Sequence, residues 1–310
     1  MSNATRVPET YELDGDDARR TLAETGRLAL LTDSFIRLRA ADGFSHARAL
    51  AFTTSLILVQ GMIVVVGLAS AFGDIRFVRT AITAIETAVP GRAADVLKNA
   101  AEQANRVGEE GAYLPLTLGL IGLLVTGASA MGQFERALNR LYGIEQDRPA
   151  LVKYTRALLL TLTAGAAIAA AFLVLAFGRS VLSSGAETVL RWPLAILLAA
   201  VGLGALFDYA PRRRQPAWSW LAFGAAVAVL LWTIATLLLA LSFRVFTNFG
   251  DTYGPLAGIV ALQLWTFVSA CAILYGGAVM AQLEAVRAGV PKPRGERQKT
   301  SERVPATAKS

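Results

Sequence analysis

The chain has 310 residues, 54% of them hydrophobic and 17% charged, with a formal net charge of +7. Its apolar residues form uncharged runs far longer than the short stripes of a water-soluble core, which excludes a soluble globular fold. The single cysteine, Cys271, excludes an intramolecular disulfide and a cysteine metal cluster.

Residues 1–17 are polar and acidic, contain Pro8, and are expected to be disordered. Over 18–39, Leu28, Leu31, Phe35 and Leu38 recur at helical spacing, while Arg20, Glu24 and Arg27 gather on another side. This predicts an amphipathic helix that either lies on the cytoplasmic membrane face or packs on the cytoplasmic ends of a bundle. Asp42-Gly43 breaks the pattern. His46, the only histidine, stands just before the first apolar stretch, at headgroup level.

Six apolar stretches follow, at 50–72, 113–131, 155–177, 192–210, 218–243 and 255–283. Each is about the length of helix that crosses a hydrocarbon core ~30 Å thick. The first carries Thr53, Thr54, Ser55 and Gln60, a polar side suited to helix–helix contact. Between the first two, Val78, Ile82, Ile85 and Val89 keep helical spacing until Pro90-Gly91, and an Ala-rich helix follows to about 107. A helical hairpin outside the membrane is expected there. The second stretch runs on as helix to Gly143, a C-terminal cap, which puts Arg136 and Arg140 on one face. The fourth ends in Asp208, the only carboxylate within the six stretches as bounded, then Tyr209-Ala210-Pro211 and Arg212, Arg213 and Arg214. Tyr253-Gly254-Pro255 turns the chain into the sixth. Residues 287–310, with Pro291, Pro293 and seven basic residues, read as a disordered tail.

Of the 30 Lys and Arg, 22 fall in 1–49, 132–156, 210–217 and 285–310, and the other gaps hold eight. By the positive-inside rule both termini are cytoplasmic and the hairpin is extracytoplasmic. The basic charge thus has a membrane explanation, and no nucleic-acid partner is expected. The fold expected is all-α: after a disordered 1–17, a six-helix membrane domain over 18–286 that includes the N-terminal interfacial helix and the helical hairpin, followed by a basic tail over 287–310.

Ala137-Leu138-Asn139-Arg140-Leu141-Tyr142-Gly143-Ile144 with Arg148-Pro149, then Tyr209-Ala210-Pro211 with Gly224 and Trp232, then Tyr253-Gly254-Pro255-Leu256-Ala257 with Leu264-Trp265 and Gly276-Gly277, together resemble the YihY/virulence factor BrkB family. The motifs cover about 130–284, and the hydropathy profile extends the likeness to residue 20. The resemblance implies a six-helix protein of the bacterial inner membrane. Members of that family have carried the label ribonuclease BN, and some are linked to envelope or serum-resistance phenotypes and to lipid transport. The chain departs from the family where a Gly-Ala-Glu-x-Asn-Ala pattern ends the last span: Ala278 and Met280 stand at the Glu and Asn positions, and Glu284 lies six residues further on.

Hydrolytic chemistry lacks its residues. Phosphodiester cleavage by metals needs clustered Asp, Glu or His, and a nucleophilic hydrolase needs a base that His46 alone would have to supply. No P-loop is present. A non-enzymatic protein without cofactor or metal is expected. Arg136, Asn139, Arg140, Arg212 and Arg213 form a candidate site for an anionic phospholipid headgroup, since guanidinium forks suit phosphate. Positive-inside topology accounts for the same arginines without a ligand. Asp208, Tyr209, Tyr253, Gly254, Gln60 and Gln263 are candidates for coupling or for structure. The function expected is movement, or help in movement, of a lipid or amphiphile in envelope maintenance. The alternatives are a non-transporting scaffold for envelope assembly and an ion-coupled solute transporter, and the partners expected besides lipid are a second copy of the chain or envelope proteins.

Overall fold

The computed structural model describes residues 2–72, 76–110, 113–146, 148–149, 151–163, 165–166, 186–245 and 255–295. Among these residues the chain is all-α, with one isolated antiparallel bridge between Ala4 and Arg294. Two short helices, α1 (Gly15–Thr25) and α2 (Arg27–Ala40), precede α3 (Gly43–Phe72). The hairpin helices are α4 (Arg76–Ala88) and α5 (Arg92–Glu110). Then come α6 (Tyr113–Leu141), α7 (151–163), α8 (Ala186–Tyr209), α9 (Trp218–Val245) and α10 (Pro255–Arg287).

Four of these are long and apolar enough to cross a membrane: Gly43–Leu68, Leu116–Leu141, Trp218–Phe243 and Leu256–Arg287. Pro193–Tyr209 within α8 is apolar but shorter. The chain is a multi-pass membrane bundle. Most of the stretch expected at 155–177 lies outside the described residues; among the described residues there are four candidate spans and one shorter apolar segment.

Where 18–39 predicts one helix, the structure has two. Asp14 caps α1, accepting from the Asp16 and Asp17 backbone, and Asp17 returns the contact to complete a capping box. Gly26, at φ +83°, ends α1 and begins α2, because a left-handed residue cannot continue a helix. Leu30, Ser34, Arg37 and Leu38 of α2 are buried against the bundle end, while Leu28, Leu31, Phe35 and Ile36 stay exposed. The buried side is thus a different one from the stripe of Leu28, Leu31, Phe35 and Leu38, which shares only Leu38 with it.

The ends correct two further expectations. Residues 2–14 are an ordered strap, not a disordered leader, because their backbone pairs with groups already fixed in the bundle. Asn3 donates to the Ala40 carbonyl, Thr5 to Pro293 and Val7 to Tyr142, and Gly295 donates back to Asn3. Residues 289–295 are likewise ordered. Gly289, at φ +76°, caps α10, with Val290 donating to Ala285 and Gly289 to Val286. The strap, α1, α2 and this segment lie at one end of the bundle, called the near end below.

The expected hairpin is present. α4 and α5 meet at Val89-Pro90-Gly91, and α5 buries Ala93, Ala94, Leu97, Ala101 and Ala104 against Met62 and Val66 of α3 and Ala261, Leu262 and Trp265 of α10. Small residues let α5 wedge between the two long helices at the far end. A separate core fills the near half around Leu138, Tyr142, Phe207, Trp220, Leu274 and Leu283. Between α9 and α10 the backbones nearly touch: a Cβ on Gly276 would stand 2.5 Å from the Gly224 carbonyl oxygen.

Candidate functional site

The near half holds a buried network of charge. α6 runs past its apolar part to the cap at Gly143 (φ +71°), where Ile144 donates to Asn139 and Gly143 to Arg140, as the sequence predicts. That extension carries Glu135, Asn139 and Tyr142 inside the bundle, where all three are buried. α10 likewise carries Gln282 and Glu284, both 0% exposed.

Two ion pairs sit there. Arg213 reaches Glu284, which also accepts from the Thr10 hydroxyl of the strap. The same guanidinium donates to the Pro8 carbonyl at 2.9 Å and lies 4.2 Å from the centre of the Tyr142 ring. Arg148 stands 3.0 Å from Glu135 in an ion pair without hydrogen-bond alignment, and donates to the carbonyls of Ala210 and Pro211 at 2.8 and 2.7 Å. Arg37 of α2 donates to Gln282 Oε1 at 2.7 Å and to the carbonyls of Thr5 and Leu141 at 3.0 and 3.1 Å. Burial lowers the Arg37 guanidinium to about 10, against the pull of Tyr142, Asp33 and Glu284, so it stays cationic near neutrality. Burial also lowers Arg148, and Glu135 opposes the shift.

The five residues of the expected headgroup site divide. Asn139 and Arg213 point inward. Asn139 is 0% exposed and its Oδ1 accepts from the Arg212 backbone at 2.7 Å, which pins the loop before α9. Arg213 is sealed in its ion pair. Arg136 is half-buried, with its guanidinium on Gln133 Oε1, and Gln133 in turn meets His46 Nδ1 at 2.9 Å. Arg140 donates to the Ile144 carbonyl at 2.9 Å. Arg212 is exposed. One shared cleft of all five is therefore not formed, because two of them hold the loop and strap that cover the bundle end.

Asp208 is half-exposed beside the Trp218 indole, and Tyr209 is exposed. Gln263 accepts from Ser55 at 3.0 Å, a link from α10 to α3. Gln60 lies against Gly122 of α6, with its Oε1 unpartnered among the described residues. Tyr253 and Gly254 lie outside the described residues. Asp208 is not the lone carboxylate of the apolar helices: Glu135 and Glu284 fall in the candidate spans Leu116–Leu141 and Leu256–Arg287 once those helices are given their full length. Bounding the stretches by hydropathy alone had left both outside. Arg37 carried no such signal, since its buried side differs from the apolar stripe. Among the described residues, no three His, Cys, Asp or Glu side chains gather where a metal could sit.

The far half has a different feature, a cavity of about 420 Å³ between the hairpin turn and helices α8 and α9. Such a volume falls within the ~300–1,000 Å³ of small-molecule sites. Glu86, Gly91 and Arg92 contribute from the hairpin, Ile196 from α8, and Thr233, Thr236, Leu237, Ala240 and Phe243 from α9. The α9 residues recur at helical spacing, so one side of that helix forms the wall. Trp232, which also lines it, donates to Ser269 at 3.0 Å, and Trp265 donates to Thr236 at 3.2 Å, fixing the wall to α10.

Comparison with known proteins places these features in a family. The model of the virulence factor BrkB family matches residues 34–301. A ribonuclease-like protein, YfkH, of Bacillus subtilis (strain 168) is 27% identical over 180 residues, 54% of this chain and 65% of that protein. The UPF0761 membrane protein YihY of Salmonella newport (strain SL254) is 30% identical over 175 residues, covering 55% and 60%. A UPF0761 membrane protein of Rhodospirillum centenum (strain ATCC 51521 / SW) is 27% identical over 252 residues, covering 80% and 56%. The chain spans less than two thirds of the length of these relatives. No solved structure matches.

Proposed function

The chain belongs to the virulence factor BrkB family, and we propose that it moves, or helps to move, a lipid or other amphiphile across or along the bacterial inner membrane, with both termini cytoplasmic and no catalytic step. The observation that carries this reading is the asymmetry of the bundle. Among the described residues its near half holds buried ion pairs, whereas its far half has a cavity with charged and apolar walls beside exposed apolar helix faces. A water-filled channel would favour polar walls throughout, and an enzyme would favour convergent acid–base groups. An amphipathic cavity beside the bilayer suits a molecule with a polar head and an apolar body. At the near end, exposed Arg212 with half-buried Arg136 and Arg140 can attract anionic headgroups, with Asn139 and Arg213 holding the surface they stand on.

The test is flux. The full chain, reconstituted in liposomes with a fluorescent phospholipid in one leaflet, should speed its exchange above protein-free vesicles. Exchange equal to that of empty vesicles removes the reading.

One observation favours the scaffold alternative. The strap and the 289–295 segment meet in an ordered patch at the near end, next to the exposed apolar edge of α2, a surface a partner could use. An ion-coupled carrier has less support, since the buried carboxylates Glu135 and Glu284 are both held by arginine.

A further inference from the structure

The far cavity identifies its own ligand class. Its wall at Leu237 is continuous with the side of α9 that faces outward: Leu237 is 64% exposed, and Leu230, Leu238 and Leu241 on the same helix are also exposed. In a membrane bundle such leucines face acyl chains. The cavity therefore borders the exposed apolar side of α9. Its charge sits at one place, the hairpin turn. Glu86 is neutralised there by Lys98, which hydrogen-bonds it. Arg92 is exposed and has no hydrogen-bond or ion-pair partner among the described residues, so among them it is the uncompensated charge on the cavity lining. The cavity also has a direction. Gly91 lies beside Phe243, a Cβ there coming within 3.5 Å of that ring, while Trp232 and Thr233 lie three turns of α9 deeper.

We propose that this cavity holds one phosphate-bearing amphiphile from the far leaflet, its phosphate on Arg92 and one acyl chain laid along α9 from Phe243 toward Thr233. A guanidinium supplies parallel donors to phosphate oxygens, and the cavity's apolar wall gives the chain a place out of the bulk bilayer. The Glu86–Lys98 pair carries no net charge, which leaves Arg92 as the group on the cavity lining that attracts the phosphate. This site rests on the reading of the protein as a handler of amphiphiles and gives it a specific place.

The experiment uses the full chain in phosphatidylcholine vesicles. It compares a phosphatidylglycerol with a photoactivatable diazirine midway along one acyl chain and a diacylglycerol carrying the same group. Labelling by the phosphatidylglycerol should concentrate on Thr233, Leu237 and Ile196, and the diacylglycerol should label these about tenfold less, the loss expected when a charge-assisted hydrogen bond is absent. Arg92→Gln should bring the phosphatidylglycerol down to the diacylglycerol level. Ala240→Trp, which fills the cavity, should remove the labelling from both. Arg92→Gln alters only an exposed side chain, so the test stands even where Ala240→Trp does not fold. Labelling spread evenly over Leu230, Leu238 and Leu241, or unchanged in Arg92→Gln, overturns the site. Phospholipid exchange in the same vesicles separates the two claims: exchange without focused labelling overturns the site alone, and focused labelling without exchange supports the site and removes the mover.

Discussion

Arg213 and Glu284 meet inside the bundle, 71 residues apart in the chain, with side chains 1% and 0% exposed. Tyr142 stacks under the guanidinium, and Thr10 and Pro8 of the strap close over it. A charge stripped of water tolerates the loss of its partner badly. Arg213→Met should cost about 3–5 kcal/mol of stability in detergent micelles, whereas the double variant Arg213→Met/Glu284→Leu should recover most of it. Thermal unfolding of both variants checks this, and equal losses would mean that the pair is not coupled.

Gly143 does two things at once. It takes φ +71° at the end of α6, and it lets the strap cross, since a Cβ there would stand 2.6 Å from the Arg6 Cα. Gly143→Ala should cost about 1–3 kcal/mol and loosen residues 3–8. Because Arg6 is exposed, tryptic cleavage after it should accelerate, and an unchanged cleavage rate would show that the strap does not depend on this glycine.

The contact of α9 with α10 depends on the absence of side chains at Gly224 and Gly276. Gly276→Ala brings a methyl to 2.5 Å from the Gly224 carbonyl oxygen and 2.7 Å from the Ala228 Cβ. A loss of about 1–3 kcal/mol is expected from overpacking. Gly61→Ala on α3 meets nothing within 4 Å and should be neutral or gain up to ~1 kcal/mol through helix propensity. The contrast between these two variants in one unfolding assay separates packing from propensity.

Lys98 and Glu86 join α5 to α4 at the surface. The hydrogen bond to Glu86 raises Lys98 above its usual 10.5. A raised lysine contributes its stability fully below the unfolded value and loses it as pH rises through the folded one. Both side chains are about a third or more exposed, so solvent screening keeps the contribution within ~1 kcal/mol. Lys98→Met should therefore lower stability slightly near pH 8, and the difference from the parent should close as pH climbs beyond 10.5. A gap that persists at higher pH would assign the effect to packing.

Orientation follows from the proposed topology. In a Cys271→Ala background, Thr83→Cys on the hairpin should react with an impermeant maleimide in intact cells stripped of their outer membrane. Glu9→Cys on the strap should react only after permeabilisation. Both are exposed positions at opposite ends of the bundle. Reaction of both from one side would contradict a bundle that separates them across a bilayer.

Much of the architecture was legible because it is local. Hydropathy over twenty residues marked the long helices, Pro90-Gly91 marked the hairpin turn, and Gly143 marked the end of α6. The positions that carried the family resemblance acquire physical reasons in the fold: Asn139 holds the backbone of the Arg212 loop, Tyr142 backs Arg213, and Gly276 admits α9. The arginines were visible as a basic cluster, but their division into inward anchors and outward charges was not. Each arginine has the same local signal, a basic residue at a helix end, whatever its partner.

The sequence by itself determined that this is a membrane bundle with basic residues gathered at one end, since lipid demands long apolar helices whose backbones satisfy themselves. Only the tertiary structure decided which charges are buried, that residues 2–14 form a strap, and that a cavity opens beside the hairpin. Those outcomes depend on where helices from distant parts of the chain cross, and a crossing is set by the fit of side chains that no single segment contains.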